Sequence, residues 1–208
     1  MKRIRVAVVD DHSVVRMGLM FTVRLFKDLE FVGEHGGGEG AADFIARVKP
    51  DVTLLDIRMP GTDGIAALGQ ILAADPGAKV VMLTTSGTDE DIYRSLEIGA
   101  KGYVLKTEAA DDIVAAIRAV AAGERYIPEP VRVVYERRAA APAFSDKEIE
   151  TLRLASAGKT NREIAEELEV SEITVKVRLS GVFAKLGARD RVDAVNLAVA
   201  RGLIPPRA

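Results

Sequence analysis

Four short apolar runs, Ile4–Val9, Val52–Leu55, Val80–Leu83 and Tyr103–Leu105, each end against a chemically active side chain: Asp10-Asp11, Asp56, Thr84 and Lys106. Over residues 4–123 strand and helix patterns alternate five times. The strands read as 4–9, 31–35, 51–56, 79–84 and 102–105, the helices as about 13–27, 40–48, 64–74, 89–98 and 110–122. Short apolar strands alternating with amphipathic helices predict a parallel sheet, because parallel neighbours need crossover connections and those cover both faces. The chain is therefore expected to begin with a five-stranded, doubly wound α/β domain. Such a sheet gathers its strand C-termini at one edge, where open α/β folds place their sites.

Three carboxylates at that edge repel one another and would retain protons at neutral pH unless a cation were present. A hard, oxygen-preferring divalent ion such as Mg²⁺ relieves the repulsion. Asp56, on a central strand, could present an oxygen to an incoming phosphorus, with the metal lowering the charge barrier. Lys106 and the Thr84 hydroxyl would hold the transferred oxygens. Taken singly, these residues have ordinary readings: an Asp-Asp pair caps a helix, Thr84 and Lys106 sit on a surface, and Tyr103 is a half-buried strand aromatic. Their combined spacing carries the reading.

Past Gly123, which ends the fifth helix, the character changes. Residues 124–143 contain Tyr126-Ile127-Pro128-Glu129-Pro130 and Ala139-Ala140-Ala141-Pro142 and read as a linker with one short helix at 130–138. From Phe144 only helices follow, each with its own punctuation. Ser145 with Glu148 and Thr160 with Glu163 are capping boxes, Ser171 and Asp190 cap two more helices, and Gly158, Gly187 and Gly202 stop them. Helices of about 9 and 14 residues around the Glu169-Val170-Ser171 turn predict a helix-turn-helix within a small all-α, four-helix domain. Net charge is −5 over residues 1–124, +2 over 125–143 and +1 over 144–208, so any nucleic-acid contact must rest on a local basic face.

That face is legible on the third of these helices. Val175, Leu179, Val182 and Leu186 form a buried stripe. Lys176, Val177, Ser180, Gly181 and Ala184 lie opposite, with Thr174 near the helix start. Small and apolar residues beside a lysine suit close approach to base edges, where Lys can donate to guanine and Val can touch a thymine methyl. Arg178, Lys185, Arg189 and Arg191 flank the face as candidate phosphate contacts. Lys159 and Thr160 sit at a helix N-terminus that attracts phosphate. The plain alternative is a helical dimerisation or protein-binding module.

Val8-Val9-Asp10-Asp11-His12, Leu54-Leu55-Asp56-Ile57-Arg58-Met59-Pro60-Gly61-Thr62-Asp63-Gly64, Leu83-Thr84-Thr85-Ser86 and Gly99-Ala100-Lys101-Gly102-Tyr103-Val104-Leu105-Lys106 resemble the flavodoxin-like receiver domain of bacterial response regulators over residues 1–123. Gly158–Ala165, Ser171–Lys176 and Lys185–Arg191 resemble the LuxR-type helix-turn-helix over about 144–204. Together they resemble the NarL/FixJ subfamily, with domains at 1–123 and 144–208. The resemblance implies phosphoryl transfer from a sensor histidine kinase to Asp56. It implies Mg²⁺ held directly by Asp11 and largely through water by Asp10, with Asp56 in the same metal set and the Arg58 carbonyl completing the shell. Thr84 and Tyr103 would form a switch pair, and Arg58 and Ser86 stand where the family tunes acyl-phosphate lifetime. It further implies homodimerisation through Val192, Val195 and Val199 of the last helix, two-fold promoter half-sites, and RNA polymerase as a further partner. Two departures, Arg178 for a common His and Gly181 for a frequent Asn, bear on which DNA sequence is read.

There is no Cys, hence no disulfide framework, and only two His. No apolar run reaches membrane length and no cleavable signal pattern is evident, so a cytoplasmic protein is expected. Two alternatives stand beside the phosphorylation-switched, non-enzymatic regulator. One is a constitutive DNA-binding regulator whose receiver only scaffolds dimerisation. The other is an Asp-nucleophile phosphatase or phosphomutase, for which Arg58 occupies the place of the expected second Asp.

Overall fold

The computed structural model describes residues 3–84, 88–106, 109–140 and 143–206. The chain divides into two compact units, Met1–Gly87 with Asp91–Tyr135, and Thr88–Glu90 with Glu136–Ala208. The first ten elements alternate strictly: β1 (Ile4–Val9), α1 (Ser13–Leu25), β2 (Leu29–His35), α2 (Ala41–Val48), β3 (Val52–Asp56), α3 (Gly64–Ala74), β4 (Val80–Thr84), α4 (Asp89–Ile98), β5 (Gly102–Leu105) and α5 (Ala110–Ala122). All strand pairs are parallel, in the order β2-β1-β3-β4-β5. The α/β sheet expected from the alternation is present.

The strands are apolar on both faces because both faces are covered. Ala7, Val9, Leu55 and Met82 pack with Phe44, Leu68, Ile71 and Leu96 from α2, α3 and α4. Val6, Val8, Leu54 and Leu83 pack with Leu19, Val23, Ile113 and Ile117 from α1 and α5. Register then sets the site. Val9 pairs with Leu55, Asp56 with Leu83 and Thr84 with Leu105, so Asp10, Asp56, Thr84 and Lys106 fall within one step of each other at the C-terminal rim.

Two boundaries in this unit differ from expectation by two residues, the others by at most one. β2 starts at Leu29 rather than 31, because Leu29 and Glu30 pair with Ile4 and Arg5. α1 ends at Leu25, since Phe26 turns extended and returns its N–H to the Val23 carbonyl.

The residues after Gly123 are more structured than a spacer. Tyr103 N–H donates to the Tyr126 carbonyl and Tyr126 N–H to the Lys101 carbonyl, both at 2.9 Å, extending the edge beside β5. The helix α6 spans Glu129–Ala140, longer than the expected 130–138. Its Val131 is buried in the core beneath α2–α4, its Tyr135 hydroxyl donates to Glu97 at 2.7 Å, and the Tyr135 ring stacks on Tyr93 at 5.9 Å. Ile127, Val131 and Val134 supply the apolar contacts that order this stretch.

The second unit contains α7 (Asp146–Ser156), α8 (Asn161–Glu167), α9 (Glu172–Leu186) and α10 (Arg191–Ala200). Both capping boxes are formed, Ser171 and Asp190 cap their helices, and Gly187 closes α9 in the left-handed region at φ 69°. α8 has seven residues against the expected nine, because Leu168 is already its C-cap and Glu169 turns the chain at φ 52°. The stripe on α9 is buried as expected. Val175 and Leu179 pack with Leu154 and Ile164, and Val182 and Leu186 with Leu152, Ala194 and Ala198. Among the described residues no helix is long and apolar enough to cross a membrane.

Candidate phosphoacceptor pocket and DNA-binding face

The sheet rim brings together the five strand-end residues Asp10, Asp11, Asp56, Thr84 and Lys106, with Tyr103 further back on β5. Asp10, Asp56 and Thr84 are buried, Tyr103 is 1 % exposed, and Asp11 is half-buried. Lys106 Nζ lies 2.6 Å from Asp10 Oδ2 and 2.8 Å from Asp56 Oδ2, so one ammonium answers two carboxylates. Burial raises the Asp56 carboxyl above its usual range, Lys106 works against that rise, and the Asp10 charge adds to it. For Lys106, burial opposes the charge, but hydrogen bonds and Coulombic attraction from Asp10 and Asp56 more than offset it, so the ammonium is held above its usual value.

One cation does not balance three acids. Ligand atoms of Asp10, Asp11, His12 and Asp56 lie within 4.8 Å of one another. Carboxylate oxygens at that spacing fit a hard divalent ion of the Mg²⁺ class, with His12 as an exposed neighbour whose Nδ1 is 2.8 Å from Asp11 Oδ1. Thr84 Oγ1 and the Tyr103 hydroxyl are buried without a hydrogen-bond partner among the described residues. An orphaned buried hydroxyl costs about 1–3 kcal/mol, which a ligand oxygen could recover. Burial pushes the Tyr103 phenol far above its usual value, so it stays neutral and can donate.

Three further residues build this pocket, and of these Arg16 and Asp91 lie outside every quoted motif. Arg16 on α1 donates to the carbonyls of Asp10 at 2.8 Å and Asp11 at 3.2 Å and holds the acidic turn. Gly64 lets the β3–α3 loop fold back so that its N–H reaches the Ile57 carbonyl at 2.9 Å. Asp91 on α4 pairs with the Arg58 guanidinium, 33 residues away in sequence. Arg58 N–H itself is 3.3 Å from Asp56 Oδ1. Ser86 lies outside the described residues.

In the second unit, Lys176, Val177, Ser180 and Ala184 of α9 are exposed on the side away from the buried stripe, with Gly181 and Thr174 partly covered. Ile173, 76 % exposed, extends the same face one turn toward the N-terminus beside Val177 at 66 %. Its spacing of three and four residues from Lys176 and Val177 was a readable signal. Most of the flanking cations have internal partners. Lys159 pairs with Glu167, Lys185 with Glu148 at 2.7 Å, and Arg189 with Asp193 at 3.0 Å. Arg191 donates to the carbonyls of Ala155 and Lys159 and to Asn161, clamping α10 to the α7–α8 turn. Thr160 is spent on its capping box with Glu163. On α10, Val192 is 69 % exposed, Val199 is half-buried, and Val195 is 6 % exposed within the core.

Comparison with known proteins agrees with this geometry. Residues 6–118 match the response regulator receiver domain, and residues 142–198 match the bacterial regulatory proteins of the luxR family. The chain is a response regulator. It joins the receiver to a LuxR-type helix-turn-helix, in the arrangement of the NarL/FixJ type, a family of DNA-binding transcription regulators rather than of enzymes. The uncharacterized transcriptional regulatory protein YxjL of Bacillus subtilis is 36 % identical over 97 % of this chain and 98 % of its own. The response regulator VraR of Staphylococcus aureus is 36 % identical over 97 % and 99 %. RcsB from Salmonella enterica serovar Typhimurium, solved bound to a promoter in the presence of the phosphomimetic BeF3⁻, superposes with a TM-score of 0.74 at 27 % identity over 96 % of this chain and 99 % of that one.

Proposed function

We propose that this response regulator is a phosphorylation-switched transcription factor, loaded at Asp56 by a sensor histidine kinase in the cytoplasm. The observation that carries the reading is the Lys106 bridge between Asp10 and Asp56 with the orphaned Thr84 hydroxyl one strand away. In the transfer, an Asp56 oxygen forms a bond to phosphorus as the phosphorus–nitrogen bond of the donor's phosphohistidine breaks, and the electron pair returns to the imidazole. Asp10, Asp11, Asp56 and the Arg58 carbonyl would hold Mg²⁺, which supplies charge neutralisation between carboxylate and phosphoryl group. Lys106 and Thr84 hold the new phosphoryl oxygens, and the buried Tyr103 ring follows Thr84.

The second half of the proposal is DNA reading by α9. Ile173, Lys176, Val177, Ser180 and Gly181 approach base edges, while Arg178, Lys185, Lys159, Thr160 and Arg189 serve the phosphates. The last four hold internal partners that they must share or leave, so Arg178 is the most available phosphate contact. Homodimers pair α10 through Val192 and Val199, with Val195 supporting them from the core, and meet two-fold half-sites about one helical turn apart. RcsB in its promoter-bound form supports this reading by analogy.

The deciding experiment incubates the full chain with a small phosphodonor and Mg²⁺. Stoichiometric, slowly decaying label on Asp56, absent in Asp56→Ala and accompanied by tighter promoter binding, is expected. Multiple turnover would favour the phosphatase reading, and label without any change in DNA affinity or oligomeric state the scaffold reading. Lys176→Ala and Val177→Ala should weaken a specific site more than random DNA.

A further inference from the structure

The Arg58 guanidinium, a strong cation at the rim of the pocket, takes no part in the proposed transfer. Arg58 begins two residues beyond Asp56, and its backbone N–H touches the Asp56 carboxylate, yet its guanidinium is paired with Asp91 on α4. The Asp91 side chain is 12 % exposed and the Arg58 side chain 56 %. The same two charges bracket the switch residue: after burial, Asp91 pushes the Tyr103 phenol up and Arg58 pulls it down. Arg58 and Asp91 thus form a charged pair that acts on the neutral Tyr103 phenol.

The charge balance explains the pairing. While Asp56 is a bare carboxylate, Lys106 already answers it, and the guanidinium is left to Asp91. A phosphoryl group on Asp56 adds oxyanions beside the stretch of backbone from which the Arg58 side chain starts. Arginine binds phosphate oxygens with a planar, two-pronged fork and prefers them to a single carboxylate contact. Two anions then compete for one fork.

Resting on the phosphoacceptor reading, we infer that Asp91 is a positioning residue that holds the Arg58 guanidinium on α4 while Asp56 is unmodified and yields it to the phosphoryl group once Asp56 is loaded. α4 is pinned to the β3–α3 loop in the first state and released in the second. Thermodynamic reciprocity fixes the consequence. Weakening the hold of Asp91 must tighten the pocket's grip on a phosphoryl analogue by the factor that the analogue weakens the hold. Because Arg58 is half exposed, that factor is modest, about two- to fivefold.

The test titrates the full-length chain with beryllofluoride at fixed Mg²⁺, as wild type, Asp91→Asn, Arg58→Gln and the double variant. Asp91→Asn is expected to bind about two- to fivefold tighter and Arg58→Gln more weakly. In the Arg58→Gln background Asp91→Asn should change nothing, since there is no fork left to release. Additive effects, or an Asp91→Asn affinity equal to wild type, overturn the inference. A second readout does not depend on Asp91→Asn folding. Amide exchange in α4 should rise on adding beryllofluoride to wild type and be high and unresponsive in Arg58→Gln. An equal response in both overturns the inference. If wild type does not bind beryllofluoride at all, the phosphoacceptor reading itself fails. If it binds and the double-variant cycle is additive, only the role of Asp91 fails.

Discussion

Gly64 stands directly against the main-chain carbonyl of Asp56: a Cβ added there would lie 1.8 Å from the carbonyl oxygen. Backbone cannot move aside as a side chain can, so Gly64→Ala must displace either the start of α3 or the end of β3, and with it the phosphoacceptor. The expected cost is about 3 kcal/mol or more, at the upper end of overpacking penalties. Urea unfolding should show a lowered midpoint, and acceptance of label at Asp56 should fall even under conditions where the chain remains folded.

Lys106 shares the acidic pocket with any bound cation and repels it. Lys106→Met should therefore have opposite effects on two measurements. Mg²⁺ affinity, read by titration calorimetry, should rise several-fold because three acids then lack their internal counter-charge. The rate of acceptance from a small phosphodonor should drop at least tenfold, since no ammonium remains to hold the transferred oxygens. A parallel fall in both would indicate collapse of the pocket.

In the second unit, Glu148 ties α7 to α9. Partial burial works against its charge, but hydrogen bonds from Lys185 and from Ser145 offset this, and its carboxyl sits below the usual range. A depressed value in the folded state means the contribution is fully present above the unfolded value of about 4.3 and is lost as pH falls through the folded one. Amide exchange in α7 and α9 should accelerate as pH is lowered into that window, after correction for intrinsic rates. Glu148→Gln should flatten the dependence and destabilise these helices at neutral pH by about 1 kcal/mol.

α10 separates packing from pairing. Val192 is 69 % exposed and Val195 6 %. Val192→Asp should leave thermal stability within about 0.5 kcal/mol of wild type and abolish paired occupancy of two half-sites in a gel-shift assay. Val195→Asp buries a charge and should destabilise the second unit by several kcal/mol.

What could be read from the chain was what is local or periodic. The strand ends, the caps at Ser145, Thr160, Ser171 and Asp190, and the α9 stripe all depend on residues within a few positions of one another, and the structure has them. The rim residues were legible because parallel register places successive strand ends side by side. Contacts between distant residues were not. The Arg58–Asp91 pair spans 33 positions and Lys185–Glu148 37, and neither leaves a mark in local pattern. The start of β2 was hidden because Glu30 interrupts its apolar run. The docking of Tyr126 and Val131 was hidden because prolines at 128 and 130 read as breakers, when Glu129-Pro130 in fact opens α6, where a missing N–H costs nothing.

That docking decides where the receiver can be cut. A fragment ending at Gly123, the natural stop of α5, would strip Tyr126 from the free edge of β5 and leave a hole where Val131 sat beneath α2–α4. An exposed strand edge invites pairing with other chains. The shortest piece fit for study alone therefore runs to about Tyr135, and a shorter one would be prone to aggregate for reasons unrelated to signalling.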